Sequence, residues 1–149
     1  MSNRDASFYI VDIFIAIYKI KLYTKKFNNA NDLLNSMLEW DATIRQLEII
    51  GEATNWLIKL ELLENKKYRK IVDFRNIIAH AYFGIDEDEV WFVVKHKLNE
   101  FKEELKSLVK QKNINLNNAI SYAKEENISQ KELIIFLDKL LLLWVWFNL

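Results

Sequence analysis

The stretch best suited to chemistry runs from Asp73 to Tyr82, DFRNIIAHAY, where Arg75, Asn76, His80 and Tyr82 are set into an otherwise apolar helical pattern. An arginine presents five donors in a rigid fork that fits a phosphate, and a histidine exchanges protons near neutral pH. Close to a helix C-terminus, His80 has backbone carbonyl dipoles beside it that favour its charged form. Arg75 and His80 together suit RNA cleavage without a metal ion. A base removes the 2′-hydroxyl proton, the oxygen attacks the neighbouring phosphorus, and cations stabilise the crowded phosphorane. No metal and no cofactor is required, and none is expected. On residue types alone, a satisfied polar pair or a helix cap is the commoner role for an isolated arginine and histidine. Asn76 could bond the backbone or orient the imidazole, and Tyr82 could be a half-buried aromatic with its hydroxyl at the surface.

Spacing constrains the pair. Five positions separate Arg75 from His80, about 140° around an α-helix axis. From a straight helix they reach one spot only if the arginine wraps, the helix loosens near Gly84, or a second copy of the chain completes the site. A homodimer resolves this most simply, and it also supplies a second His80 as proton donor. The other histidine, His96, lies between two lysines and reads as solvated.

Lys66, Lys67, Arg69 and Lys70 precede Arg75, opposed there only by Asp73. Such a run is a solvated face or, beside a nuclease site, a track for the RNA backbone, with Tyr68 or Tyr82 available for stacking. Asp86–Glu89 is acidic and reads as the dipole-matched start of a helix rather than a cation site. Glu48 and Glu52 lie one turn apart and read as structural, pairing with Arg45 or Arg75. Trp40, Trp56 and Trp91 fit packing or a dimer seam.

These residues need helices to hold them. In 149 residues there are two glycines, no proline and no cysteine, which leaves little turn chemistry for hairpins and excludes disulfides and thiolate metal sites. Lys and Arg number 21, as do Asp and Glu, so any nucleic-acid contact must be a local patch. Phe8, Val11, Phe14, Ile15, Tyr18 and Leu22 mark one stripe of a first helix, from about Asn3 to Phe27. After a polar break at Asn28–Asp32, Ser36 and Glu39 form a capping box for a second, reaching about Leu63, with Ile44, Leu47, Gly51, Thr54 and Ile58 inward. A third starts at Lys66, turns Ile71, Phe74, Ile77, Ile78 and Ala81 inward, and stops at Gly84 as a left-handed cap. Asp86 and Glu89 open a fourth, with Val90, Val94, Leu98, Phe101, Leu105 and Leu108 as its stripe. The expected fold is all-α, an antiparallel up-and-down four-helix bundle over residues 1–110. Residues 111–149 form an asparagine-rich linker, Asn113–Asn118, and an apolar C-terminal helix opened by Ser129 and Glu132. Of the 17 residues from Leu133 to Leu149, 14 are apolar, but Asp138 and Lys139 interrupt them, so a buried or dimer-forming helix is expected and not a membrane span. Neither signal peptide nor anchor is read at the amino terminus, and the expected location is the cytoplasm.

The string Arg75-Asn76, three residues, His80-Ala81-Tyr82 resembles the motif of the HepT-like branch of HEPN domains, in which arginine, four residues, histidine, one residue and tyrosine follow one another. RQLEIIGEA at Arg45–Ala53 resembles that family's second-helix signature, and YFGIDEDEVW at Tyr82–Trp91 resembles the segment after its motif. Phe8–Tyr23, with Asp12 and Ala16, resembles its first helix. The resemblance implies a homodimeric ribonuclease, the toxin of a two-gene toxin–antitoxin system. Arg75 and His80 would form the RNA-cleaving site in a cleft between subunits, supported by Asn76. The implied partner is a minimal nucleotidyltransferase antitoxin that transfers AMP onto Tyr82, where a bulky anion competes with RNA phosphate for Arg75. The tail from about Gln111 departs from the family's usual length. Two other readings remain open: a non-catalytic HEPN subunit that binds a nucleotide or a nucleotidyltransferase, and a structural, membrane-associated helical protein.

Overall fold

A computed structural model of the chain describes residues 5–81 and 84–147, and among these the regular structure is helical, with no strand. Helix α1 (Ala6–Thr24) starts one residue after Asp5, whose carboxylate accepts the Ser7 backbone N–H at 3.0 Å, and ends before the expected Phe27. Its burial is wider than one stripe. Ile10, Ile13, Ala16, Ile17 and Ile20 are at most 1% exposed, whereas Phe8, Ile15 and Tyr18 are only partly buried. The reason is that α1 is packed on several sides, by α3, α6 and α7, and a helix so enclosed has no polar face to keep wet. Each such isoleucine contributes about 1.5–3 kcal/mol by burial.

The polar break contains a short helix of its own, α2 (Ala30–Leu34), because the Asn29 side chain caps it by accepting the Asp32 N–H at 2.9 Å. Helix α3 (Met37–Lys59) follows and ends earlier than the expected Leu63. The Ser36 capping box is not made: the Ser36 hydroxyl donates backwards to the Asp32 carbonyl at 3.2 Å. The inward stripe of α3 is as expected at Leu47, Gly51 and Thr54, all buried, with Ile44 and Ile58 partly so.

Helix α4 (Asn65–His80) packs along α3. Helices α5 (Glu87–Phe92) and α6 (Leu98–Gln111) form one rod joined by a π-helical turn, Val93–Lys97. Asp86 caps this rod as expected, accepting the N–H groups of Asp88 and Glu89 at 2.9 and 3.3 Å. Val90, Leu98, Phe101, Leu105 and Val109 are its buried residues. Val90, Val94 and Leu98 are spaced by four twice over, a drift of about 80° around an α-helix, and the wider π turn takes up part of it.

The expected linker is also partly helical. Helix α7 (Asn117–Glu126) buries Ala119, Ile120 and Ala123, and α8 (Lys131–Phe147) buries Leu133, Leu137 and Leu140. Both join the core built on α1, and Phe136 stacks on Tyr18 with ring centroids 4.5 Å apart. Among the described residues no helix is long and apolar enough to cross a membrane.

Candidate functional site

The site rests on α4, whose two sides are set by what its residues pack against. Tyr68, Val72 and Ile78 are buried and turn toward the core, with Ile71 and Phe74 partly buried beside them. Ile77, expected inside, is 59% exposed, because it lies on the far side of the helix from Tyr68 and Val72. The helix ends at His80. Ala81 is extended, with φ −87° and ψ 98°, and its N–H donates to the Ile77 carbonyl at 3.0 Å. Gly84 does adopt the left-handed φ of 79°, as expected of it, but it lies beyond this end and is not the helix cap.

Arg75 and Asn76 are brought together. The Arg75 Nη1 donates to Asn76 Oδ1 at 3.0 Å, so Asn76 orients the guanidinium. Arg75 is half-buried, and among the described residues its buried Nε has no hydrogen-bond partner. A guanidinium held at one nitrogen with a second donor unspent is short of an acceptor, which an anion that reached it would supply. His80 is exposed at the helix C-terminus, and among the described residues no hydrogen bond joins it to Arg75 in the same chain. Tyr82 lies outside the described residues.

The basic run is less free than its sequence suggests. Lys66, Lys67, Arg69 and Lys70 are all exposed, but Lys67 pairs with Glu104 at 3.4 Å and Arg69 with Asp73 at 3.3 Å. Tyr68 is not available for stacking. It is 9% exposed, and its hydroxyl donates to Glu104 Oε2 at 2.6 Å, tying α4 to α6. Burial, and then the Glu104 carboxylate, push the Tyr68 phenol above its ordinary pKa. Glu48 pairs with Arg45 at 3.4 Å, one of its two expected partners, and His96 is exposed with its ring 5.1 Å from that of Phe92.

A cavity of about 300 Å³ opens between α4 and the α5–α6 rod. Its floor includes Leu47, Ile50, Ile71, Phe74 and Phe101, and its rim sets Lys67, Lys70 and Lys97 against Glu89, Glu100 and Glu104. With charges so balanced, the groove does not select an anion, and the phosphate-seeking feature remains Arg75. Among the described residues no group of three His, Asp or Glu side chains is placed to hold a metal ion.

Residues 13–108 match the ribonuclease HepT-like family, a span that holds α3, α4 and Arg75, Asn76 and His80 together. The chain belongs to the HepT-like ribonuclease family. A candidate RNase of Methanocaldococcus jannaschii is 35% identical over 107 residues, 70% of this chain and 97% of its own length. The probable ribonuclease HepT of Thermococcus cleftensis is 32% identical over 73% of this chain and 97% of its own length. A second M. jannaschii protein, named as a gamma-glutamylcyclotransferase and candidate RNase, is 31% identical over 87% of this chain and 59% of its own length. That last match takes in more than residues 1–110 alone can supply, so it shares part of the tail. No solved structure gives a significant match.

Membership in the HepT-like family accounts for the motif on α4, and the structure adds two features that sequence reasoning misses. One is the Tyr68–Glu104–Lys67 cluster, which spans elements 36 residues apart and leaves no local signal. The other is the π turn, hinted at only by the doubled spacing of four.

Proposed function

We propose that this chain is the toxin of a toxin–antitoxin pair, a metal-independent endoribonuclease acting as a homodimer. The observation that carries the reading is Arg75 itself: in a ribonuclease family, an arginine of the family's motif is tied by Asn76 at Nη1 and, among the described residues, has a buried Nε without a partner. In this reading α1, α3, α4 and the α5–α6 rod stand as an antiparallel up-and-down bundle, and the α4 ends of two copies meet to form a cleft. Arg75 binds the scissile phosphate and stabilises the phosphorane, while Asn76 fixes the guanidinium. The partner subunit's His80, facing Arg75 across the cleft, takes the 2′-hydroxyl proton, and water protonates the departing 5′-oxygen. The products are a 2′,3′-cyclic phosphate and a 5′-hydroxyl. Lys66 and Arg69 contact the RNA backbone, Arg69 after exchanging its carboxylate partner for phosphate, while the expected contacts Lys67 and Lys70 stay at the groove rim.

The partner in this scheme is a minimal nucleotidyltransferase antitoxin in the same cytoplasm. It joins the α-phosphorus of ATP to the Tyr82 oxygen, and pyrophosphate leaves. The added anion, two residues from His80, then occupies Arg75 in place of RNA. The test is cleavage of a labelled single-stranded RNA by the purified chain in EDTA. Cyclic-phosphate ends are expected, with activity lost in His80→Ala and Arg75→Ala. Full cleavage by His80→Ala, or cleavage only after a divalent ion is restored, refutes the mechanism.

A further inference from the structure

Gly51, in the middle of α3, has no conformational reason to be glycine. Its backbone is ordinary helix, and Gly84 is the glycine with a positive φ. Alanine is the better helix former at such a place. What forbids a side chain is α4. A Cβ built on Gly51 would lie 2.1 Å from Arg75 Cβ, 2.6 Å from Arg75 Cγ and 3.4 Å from the Ile71 carbonyl oxygen. The nearest of these atoms belongs to the rigid root of the arginine, so it cannot swing aside without α4 moving. The missing methyl is therefore a notch that receives the first two carbons of Arg75.

We propose that Gly51 is a positioning residue for RNA cleavage: its notch fixes the Arg75 stem from below while Asn76 fixes the guanidinium, so that Arg75 reaches the scissile phosphate from one defined point. The proposal rests on the reading of Arg75 as the phosphate-binding group. Two constraints on one side chain explain how an arginine, with its many rotamers, keeps its free Nε in one place. To bring the 2.1 Å overlap out to the 3.4 Å of ordinary contact, the two helices must part by more than an ångström, or α4 must turn. Displacements of that size at a catalytic group cost about 100-fold in rate.

The experiment compares wild type, Gly51→Ala, Arg75→Ala and the double variant, reading kcat and KM on one RNA together with the melting temperature. Gly51→Ala is expected to lose about 100-fold in kcat, with a smaller change in KM. In the Arg75→Ala background no cleavage remains to be reduced, so the double variant reads stability alone. Gly51→Ala should lower the melting temperature in both backgrounds, because Arg75→Ala keeps the Cβ that clashes. A Gly51→Ala enzyme with wild-type kcat overturns the proposal. If Arg75→Ala itself cleaves normally, the cleavage reading falls and this proposal with it, whereas an inert Arg75→Ala beside a normal Gly51→Ala removes the proposal alone. A second pair covers a Gly51→Ala chain that does not fold. Arg75→Gly empties the notch, and added n-propylguanidinium, which replaces the lost three-carbon stem and head, should restore cleavage there but not in Gly51→Ala/Arg75→Gly, where the methyl fills the notch. Rescue of both variants alike, or of neither, also overturns it.

Discussion

Arg75→Ala and His80→Ala, each inactive alone, should regain cleavage when mixed. The reasoning starts from α4. Arg75 points its stem into the notch on α3, whereas His80 is exposed. Five positions turn the helix by about 140°, and they advance it by about 7.5 Å. Arg75 and His80 of one chain thus face apart, and a site that uses both takes one from each subunit. In a two-fold dimer such sites occur in pairs. A dimer of one Arg75→Ala chain with one His80→Ala chain then has one site with both groups intact and one with neither. Random exchange of equal amounts makes half the dimers mixed, each with half its sites working, so about a quarter of wild-type activity returns. The assay is cleavage of a fluorescent RNA after co-refolding or slow subunit exchange, titrated over the ratio of the two variants. A maximum at equal amounts is expected. If the mixture never exceeds the more active parent while the dimers demonstrably exchange, Arg75 and His80 act within one chain, and the face-apart argument is wrong.

Asn76→Ala removes the acceptor of Arg75 Nη1, and a hydrogen bond to a charged group is worth about 1.5–3 kcal/mol, so kcat/KM should fall about 10- to 150-fold. Asn76→Asp keeps an acceptor but sets a negative charge against the guanidinium, so it should melt no lower than wild type and still bind RNA worse; equal RNA affinity would count against a phosphate role for Arg75. Tyr68 bears on stability against pH. Its phenol is raised above 10.0 in the fold, so its stabilising contribution is complete below pH 10 and is lost as pH rises through the folded value. Tyr68→Phe should therefore cost about 1 kcal/mol at neutral pH and make the melting temperature fall less steeply above pH 10, with the raised Tyr18 left to account for what slope remains. An unchanged alkaline limb in Tyr68→Phe would mean that neither burial nor the Glu104 carboxylate raises the phenol in the fold.

How legible all this is in the sequence depends on the range of each cause. The helical class follows from composition, and the inner stripes of α3 and of the α5–α6 rod follow from periodicity, because one face packs while the other stays wet. On α1 the same rule finds Val11 and Phe14, both buried, but misses Ile10, Ile13, Ile17 and Ile20, which are deepest: a helix covered on several sides has no single stripe to read. At α2 and α7 the signals are short-range and present in the residues, though weak against the polar stretches around them. Asn29 is a good N-cap, and Leu116, Ala119, Ile120 and Ala123 recur at three and four, all buried. At the site, residue types point to Arg75, Asn76 and His80, and the 140° offset follows from helix geometry before any coordinates. The notch at Gly51 does not, because it depends on how closely α3 and α4 approach at one crossing.

Charge distribution then decides where an RNA strand can lie on this neutral chain. The groove between α4 and the rod has the volume to take a base, yet each rim lysine is answered by a glutamate, and Lys67 and Lys97 already pair with Glu104 and Glu100. A phosphate entering there meets as much repulsion as attraction, with two ion pairs to disturb. The opposite side of α4 is different. Lys66, Arg69 and His80 are exposed on it, Asp73 is the acid among them, and Ile77 lies bare in its midst. An exposed isoleucine between cations invites a partially covered surface, in which a second chain takes the apolar residue and leaves the charges at the edge for a polyanion. On that arrangement the local balance decides substrate binding rather than the net charge, because Asp73 is the acid set among the cations of that face and is paired with Arg69.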